Sequence, residues 1–283
     1  MVFLSMANNY YLNSYRATVT LFLLSVLSLA SLAKERITAD EVDTIKSAIS
    51  NNHSIDAPSV QWEFLKDYSA IYQVYYDDDL VGSANERLTF NSGFWRLEMN
   101  AKLKKLFFKV NSNEYSEFLL DEQILYTQRF HSKTEITFKK DKIIEQFFDW
   151  SNKIETGLYK KRSWQLPLEQ QVFDRMSHTI QLRQELINRK KSNNNKNFDK
   201  IPMEYSVSHK GKRESYIYKS LGIINLSTPN GNYQTIKLER TKKNGDKFLI
   251  WLSPKLNYFP VKISQKEEGK SEVSFIINKL NFF

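Results

Sequence analysis

Apolar and polar residues alternate along the last part of the chain, from Tyr233 to Leu280. The apolar positions fall on every second residue of successive segments: Ile236 and Leu238, then Phe259, Val261 and Ile263, then Val273, Phe275 and Ile277. A period of two is typical of β-strands that bury one face of a sheet. Asn-Gly pairs at 230–231 and 244–245 favour tight hairpin turns with positive φ at both central residues. The stretch therefore predicts four consecutive strands.

The same alternation starts near Asp67 and continues to Trp150. The predicted strand faces include Tyr68, Ala70, Tyr72 and Val74, and later Trp95, Leu97, Met99 and Ala101. Turn-forming residues interrupt the alternation at short intervals, as in a β-meander, sandwich or barrel. We therefore expect a single β-rich domain over residues 64–283.

A helical pattern interrupts the strands between Val172 and Arg189. The segment contains no Gly or Pro, and its apolar residues form a broad stripe: Val172, Phe173, Met176, Ile180, Leu186 and Ile187. We expect a helix near 172–190, a flexible Asn-rich loop at 190–200, and a further loop in the mixed segment 151–170. The predicted fold is mainly β, a curved antiparallel sheet or open half-barrel with one long packed helix.

The N-terminal residues 1–33 contain no acidic residue and an apolar stretch from Ala17 to Ala33. Small residues at 31 and 33 precede a polar segment, which is the pattern of a secretory signal peptide and its cleavage site. Export to the periplasm is the prediction, and an uncleaved anchor in the inner membrane is the alternative. We expect residues 34–63 to form a polar spacer with a short helix.

Composition and charge exclude some kinds of functional site and favour one kind of partner. The chain has 283 residues and no Cys, which excludes disulfides, thiolate metal sites and a thiol nucleophile. Its formal net charge of +9 favours an anionic partner. In an exported protein that partner is anionic lipid or an acidic envelope polymer rather than nucleic acid. Lys102, Lys104, Lys105, Lys160, Lys161, Arg162 and the 189–200 cluster are candidates for a basic surface that touches a membrane peripherally; the alternative is a solvated face.

Several short motifs together resemble a known family. They are Tyr68–Gly82, Asp174-Arg175-Met176-Ser177 with Arg183, Trp251-Leu252-Ser253-Pro254, and Tyr258-Phe259-Pro260-Val261-Lys262-Ile263. The chain resembles the domain of unknown function 3108 family over about Phe64 to Leu280. The resemblance implies an exported protein without established activity, whose fold is similar to the open barrel of lipoprotein carriers. In that superfamily a helix plugs a concave sheet and the cavity takes a lipid or acyl chain.

Catalytic and metal motifs give little support to an enzyme. Asp174, Ser177 and His178 resemble a triad in composition, but adjacent residues of a helix point about 100° apart, so Ser177 and His178 do not face each other. We expect Asp174, Ser177, Arg183, Pro254 and Pro260 to be structural. Asp77-Asp78-Asp79 lacks the spacing of a calcium loop. The four His residues at 53, 131, 178 and 209 have no zinc spacing, and no phosphate or dinucleotide motif implies a cofactor.

Aromatic and apolar residues on the predicted strands suggest a ligand cavity. The candidate lining residues are Trp95, Leu97, Met99, Phe138, Phe148 and Trp251. One helix is too small to fill the interior of a large curved sheet, so the unfilled space would hold an apolar ligand. The alternative is that the helix and segment 151–170 fill this interior completely. The first functional hypothesis is a binding or carrier protein for a lipophilic or envelope-derived ligand. The second is an interaction module that docks to an envelope protein, and the third, an envelope-polymer hydrolase, lacks a catalytic constellation.

Overall fold

The computed structural model describes residues 62–121, 124–168, 171–192, 202–242, 245–267 and 271–283. The predicted signal peptide at 1–33 lies outside these ranges, as does the predicted spacer at 34–63 apart from its last two residues. Most of the predicted loop at 190–200 also lies outside them.

Fifteen strands and one α-helix account for most of the described residues. The strands are β1 (Tyr68–Tyr76), β2 (Asp79–Asn91), β3 (Phe94–Lys105), β4 (Phe108–Leu120), β5 (Leu125–Ile136), β6 (Lys142–Asp149), β7 (Ile154–Tyr159), β8 (Arg162–Pro167), β9 (Val172–Phe173), β10 (Met203–His209), β11 (Lys212–Thr228), β12 (Gly231–Thr241), β13 (Lys247–Ser253), β14 (Phe259–Lys266) and β15 (Glu272–Phe282). The helix is α1 (Ser177–Ser192), and a short 3₁₀ turn spans Pro254–Leu256.

All strands belong to one sheet, in the order β8-β7-β6-β5-β4-β3-β2-β1-β15-β14-β13-β12-β11-β10-β9. Each half of the sheet is an antiparallel meander, and β1 pairs with β15, so the first and last strands lie side by side. The short strand β9 pairs parallel with β10, which makes the sheet mixed. The edge strands β8 and β9 form no ladder with each other in the described residues, and the sheet is open. The predicted β-rich class with one long helix is therefore confirmed.

The sheet curves around α1. The helix contacts β4 and β5 on one side and β10 on the other, although these strands are far apart in the sheet order. We call the face toward the helix the inner face. Ile180, Leu182 and Leu186 of the helix are almost completely buried there. The core lies between the helix and this face, as expected when a helix buries an apolar surface against a sheet.

Segment 151–170 forms a hairpin rather than the predicted loop. Strands β7 and β8 are joined by Lys160 and Lys161, and both residues have positive φ, 49° and 66°. Such two-residue turns favour Gly, Asn or Asp, because other side chains crowd the backbone in this region. Two lysines at these positions gave no turn signal, so the hairpin was missed.

The helix begins later than the apolar stripe predicted. Val172 and Phe173 form β9 instead of a first helical turn. Asp174 then stops the strand, because its carboxylate accepts hydrogen bonds from the backbone N–H groups of Met176 and Ser177. This is the geometry of an N-cap, which satisfies donors that have no partner inside the helix.

The four C-terminal strands form as predicted, but one turn between β11 and β12 differs. Thr228 pairs with Gly231, so the two central turn residues are Pro229 and Asn230. Asn230 does not have positive φ, and Gly231, at φ 121°, lies in the following strand. The Thr228 hydroxyl donates to the Gly231 carbonyl and accepts from the Asn230 N–H. The second predicted turn was the Asn-Gly pair at 244–245, and Asn244 lies outside the described residues.

Candidate functional site

Three of the six predicted cavity residues share the inner face. Trp95, Leu97 and Met99 alternate along β3, and their cross-strand partners on β4 are Phe118, Ser116 and Glu114. Trp95 and Leu97 are buried in the main core, and Met99 packs against it. These three side chains therefore belong to the core, and a role in binding a ligand stays a prediction.

The other three do not line one cavity with them. Phe138 is 87% exposed in the turn between β5 and β6. Phe148 packs in a separate cluster with Leu168 and Val172. Trp251 points to the opposite face of the sheet, where Lys237 and Lys262 each lie 4.8 Å from its ring centroid. Side chains alternate along a strand, so Trp251 and its inner-face neighbour Ile250 face opposite ways. Phe138 and Phe148 therefore lie apart from Trp95 and Leu97, whereas Trp251 is buried in the same core cluster but on the other side of its strand.

Asp174 and Ser177 connect the start of α1 to the sheet. Besides its capping bonds, Asp174 accepts a hydrogen bond of 2.5 Å from the Ser116 hydroxyl on β4. The Ser177 hydroxyl lies 2.8 Å from that of Thr127 on β5, and it accepts from the Asp174 N–H. Burial raises the pKa of Asp174 above its usual value, and these hydrogen bonds act against that rise. The contacts fix the helix N-terminus against two strands.

His178 faces away from Ser177. Its Nε2 lies 2.8 Å from the Tyr218 hydroxyl, and its ring stacks on Tyr218 with centroids 6.0 Å apart. Burial lowers the pKa of His178 to about 3, so the imidazole is neutral at ordinary pH. The hydroxyl of Ser177 and the imidazole of His178 therefore contact different partners, and the hydrogen bond that a triad requires is not made.

Arg183, Pro254 and Pro260 meet where the helix contacts the turn between β13 and β14. Arg183 Nε donates to the Asn257 carbonyl at 3.2 Å, and its guanidinium lies 5.4 Å from the Phe259 ring centroid. Pro254 begins the 3₁₀ turn, and the Pro260 carbonyl accepts from the Tyr72 hydroxyl at 3.0 Å. These contacts hold the turn against the helix.

A buried carboxylate joins the two halves of the sheet. Glu155 on β7 is fully buried and accepts from four side chains: Gln146 at 2.9 Å, Trp164 at 3.0 Å, Ser208 at 2.6 Å and Arg213 at 3.2 Å. Ser208 and Arg213 come from β10 and β11, near the far edge of the sheet. We call these five residues the Glu155 clasp, because they connect the sheet ends through side chains.

Two glycines make room for the clasp tryptophan. A Cβ on Gly157 would lie 2.1 Å from Trp164 Cζ2, and a Cβ on Gly211 would lie 2.9 Å from Trp164 Cγ. Both distances are shorter than van der Waals contact allows. The indole therefore lies across these two backbones to reach Glu155.

Four basic residues lie close enough to influence one another near the ends of β6, β7 and β10. We call Lys142, Lys160, Arg175 and Lys210 the cationic cluster. The amino groups of Lys160 and Lys210 lie 5.2 and 4.8 Å from the Tyr159 ring centroid. Lys142 begins β6 and faces inward in the same alternation as Ile144 and Gln146.

The cluster is short of negative charge. Glu114 forms an ion pair of 3.0 Å with Arg175 and accepts from the Ser132 hydroxyl at 3.0 Å. Lys142 is only 8% exposed, and its buried amino group has no hydrogen-bond partner in the described part of the chain. The buried Tyr159 hydroxyl likewise has none there. Buried polar groups are normally paired, so these two neighbouring groups could both bind to a ligand.

Burial and mutual repulsion lower the pKa values of the cluster lysines. Burial is the main cause for Lys210, followed by the charges of Arg175, Lys142 and Lys160, and the pKa falls to about 6. For Lys142, burial and then Lys160 and Lys139 lower the pKa to about 8. An anion placed among these groups would supply the missing acceptor and the missing negative charge. The arrangement can therefore bind a phosphate or carboxylate group.

The alternation along β6 is a sequence signal for one member of the cationic cluster. Lys142, Ile144, Gln146 and Phe148 alternate along one strand, so Lys142 occupies a position expected to face the core. The contribution of Lys210 and Arg175 depends on tertiary structure, since they come from distant segments.

The described residues lack two further features. They contain no group of three or more His, Asp or Glu side chains that could hold a metal ion. They also contain no helix that is long and apolar enough to span a bilayer.

Comparison with solved structures relates the fold to one β-barrel-like protein. The protein of domain of unknown function DUF1849 from Brucella abortus aligns with a TM-score of 0.55 and 9% identity, covering 77% of this chain and 98% of that chain. A candidate lipoprotein from Parabacteroides distasonis aligns with a TM-score of 0.32, 7% identity, and coverage of 80% and 100%. A candidate exported protein with a YmcC-like fold from Bacteroides fragilis gives 0.32, 8%, and 77% and 96%. The last two scores are too low to indicate a shared fold.

Comparison of sequences identifies a family. A search of curated proteins finds no significant match. The sequence model of a family described as Protein of unknown function (DUF3108) matches residues 71–269. This range contains Asp174, Ser177 and Arg183 at the start of the helix, and Pro254 and Pro260 at the turn that the helix contacts. Because the match spans most of the chain, the protein belongs to the DUF3108 family.

Proposed function

We propose that this protein is an exported binding protein for an envelope molecule that carries a phosphate or carboxylate group. The observation that carries the proposal is the buried, unpartnered amino group of Lys142 within the cationic cluster. Leaving a buried charge without a counter-ion is unfavourable, and groups with strongly shifted pKa values cluster at functional sites. The interior next to the cluster is apolar at Ile144, so an amphiphile is the ligand class that fits both surroundings.

Export rests on the sequence of residues 1–33. An apolar stretch without acidic residues, followed by small residues at 31 and 33, favours secretion. The periplasm is the compartment in this proposal, with attachment to the inner membrane through the same stretch as the alternative. Purification from the periplasm and mass measurement of the denatured chain distinguish the two, because cleavage would leave Lys34 at the N-terminus.

Calorimetric titration of the purified protein tests the binding function with two probes. Dodecyl phosphate represents an acidic amphiphile, and inorganic phosphate represents the charged group alone. We expect dodecyl phosphate to bind and Lys142→Met to weaken its binding at least tenfold, because the substitution keeps the volume of the side chain and removes its charge. Lys219→Met is the matched control, since Lys219 is an exposed lysine on β11, far from Lys142 in the sheet order.

The titration has three informative outcomes. Binding of both probes with similar affinity would assign the cluster to a small anion rather than an amphiphile. Binding of dodecyl phosphate that Lys142→Met leaves unchanged would place the ligand elsewhere. No binding of either probe would overturn the proposal and favour the second hypothesis, an interaction module with a filled core, for which the complete burial of Leu182 and Leu186 is the supporting observation.

A further inference from the structure

Two neighbouring hairpin turns at one end of the sheet expose large apolar side chains. Leu106 and Phe107 form the turn between β3 and β4 and are 68% and 49% exposed, and Phe138 lies in the turn between β5 and β6. The Phe107 and Phe108 ring centroids are 4.5 Å apart. We call Leu106, Phe107, Phe108 and Phe138 the apolar tip.

Backbone hydrogen bonds hold the two turns side by side. The Thr137 N–H donates to the Lys109 carbonyl at 3.1 Å, and the Lys109 N–H donates to the Thr137 hydroxyl at 2.9 Å. Phe138 follows Thr137 and therefore lies next to the start of β4. The two turns are thus neighbours at one end of the sheet, so their apolar residues lie on adjacent strands.

Turn chemistry does not explain the apolar residues at the tip. Leu106 and Phe138 have positive φ, 55° and 63°. Gly or Asn adopts this conformation at lower energy than a large side chain does, and polar residues suit an exposed turn. Leu and Phe at these positions are unfavourable both for the backbone and for solvation.

Lysines without counter-ions surround the tip. Lys104 and Lys109 face each other directly across β3 and β4, and like charges at such positions repel. Lys102, Lys104, Lys109 and Lys140 are exposed and form no ion pair within the described ranges, whereas Lys105 pairs with Asp79 at 3.0 Å. The acidic residues nearby, Glu135 and Asp141, both contact Lys133. The surface around the tip therefore carries a net positive charge.

We propose that the apolar tip and its lysines form a docking surface for an anionic phospholipid bilayer. The tip side chains would enter the interfacial region of the membrane, and the surrounding lysines would contact the lipid phosphates. Exposed aromatic residues ringed by cations fit this environment, which combines an apolar layer with negative surface charge. The docking surface lies beside the cationic cluster, since Lys142 follows the turn that carries Phe138, but it uses different side chains, so this inference does not depend on the proposed ligand.

Site-specific fluorescence tests the docking surface in the complete chain. Because the sequence contains no Cys, Phe138→Cys allows labelling with the environment-sensitive fluorophore NBD at a single position. The matched control is Ile223→Cys on β11, where the side chain is also exposed. On addition of vesicles of phosphatidylcholine with 30% phosphatidylglycerol, we expect a blue shift and increased emission at position 138 and no change at 223.

Vesicle co-sedimentation of Leu106→Asn/Phe138→Asn measures the contribution of the tip. Asn tolerates positive φ, so this variant should fold with an unchanged or higher melting temperature. We expect its partition onto the anionic vesicles to fall at least about tenfold, since burial of even one large apolar side chain supports a change of this size. Wild-type and variant share residues 17–33, so any membrane contact of that stretch is common to both.

The two experiments overturn the proposal if position 138 stays in water on anionic vesicles or if the double variant partitions like the wild type. Equal binding to pure phosphatidylcholine vesicles would also contradict it, because the lysines would then contribute nothing. A loss of binding as salt is raised supports it, since screening weakens exposed electrostatic contacts.

Discussion

Glu155 and Lys142 show two different ways in which this fold buries a charge. They lie on the inner face of adjacent strands, β7 and β6, and both are nearly inaccessible to water. Glu155 accepts hydrogen bonds from four side chains, whereas the Lys142 amino group has no partner in the described residues. Removing a buried charge that is fully paired destabilises the fold, because its partners are then left buried without an acceptor or donor. A buried charge without a partner is available to a ligand.

The difference also separates a structural role from a binding role. The partners of Glu155 come from both halves of the sheet, so the carboxylate is needed to keep the sheet ends together. Burial, and then the charges of Lys160 and Lys139, lower the pKa of Lys142, and these cations gain nothing from its presence. Substitution of the two residues should therefore change stability in opposite directions.

Loss of the clasp carboxylate should have the largest effect. Glu155→Ala leaves Arg213 and three neutral donors without their acceptor, and we expect the free energy of unfolding to fall by about 3–5 kcal/mol. Urea denaturation measures this. The control is Glu117→Ala on the outer face, whose partly exposed ion pair with Arg96 should contribute less than about 1 kcal/mol. A loss at Glu155 no larger than that of the control would show that the clasp does not stabilise the sheet.

Coupling between Glu155 and Arg213 should be smaller but clearly measurable. A double-mutant cycle with Glu155→Gln and Arg213→Met isolates their interaction, and we expect a coupling energy of about 1–3 kcal/mol. Arg213 also donates to the Pro167 carbonyl on β8, so its single substitution should weaken the edge of the sheet as well. Additive effects of the two substitutions would argue against a direct ion pair.

Removal of the unpaired cation should stabilise the protein. Lys142→Met replaces a buried charge by an apolar side chain of similar size, and we expect the free energy of unfolding at pH 7 to rise by about 1 kcal/mol or more. Lys109→Met, at an exposed position, should change it by less than about 0.5 kcal/mol. Destabilisation by Lys142→Met would mean that the amino group has a stabilising partner in solution.

The cluster lysines should also make stability depend on pH. Lys210 has a pKa near 6 in the folded protein and near 10.5 when unfolded, so between these values the unfolded state binds more protons. Stability should therefore rise with pH from about 6 toward 8, by less than about 1.4 kcal/mol per pH unit for this one proton. Lys210→Met should flatten the slope. Anion binding should weaken over the same interval, because neutral lysines no longer attract the ligand; an affinity independent of pH would contradict this.

Alternation along the chain predicted much of the fold because period-two burial is a local property. It placed Tyr72, Trp95 and Leu97 on one face and located the four C-terminal strands. It missed the β7–β8 hairpin, since Lys160 and Lys161 occupy a turn that usually takes Asn and Gly. It also extended the helix through Val172 and Phe173, because apolar residues before a cap fit the helical stripe as well as a short strand.

The candidate site was harder to predict because it depends on contacts between distant segments. Phe138 and Trp251 were assigned to a cavity because they lie in aromatic and apolar stripes of predicted strands, although Phe138 is at an exposed turn and Trp251 is on the opposite face between two lysines. Lys142 was overlooked because a lysine at a turn is normally solvated. Lys210 and Arg175 approach Lys142 only in the folded chain. That the Lys142 amino group lacks an acceptor in the described residues therefore follows from the structure and not from the sequence.

The pairing of β1 with β15 has a consequence for how the chain reaches its folded state. Tyr68 pairs with Phe282, and the Asp67 carbonyl accepts from the Phe283 N–H, so this pairing joins segments that are more than 200 residues apart in the sequence. A chain that emerges N-terminus first can form the β1–β8 meander early, but one edge of β1 keeps its backbone groups unpaired until β15 is available. Contacts of such long sequence separation slow folding, and an open strand edge promotes association with other chains. Removal of the final strand would accordingly produce two half-sheets without a common seam.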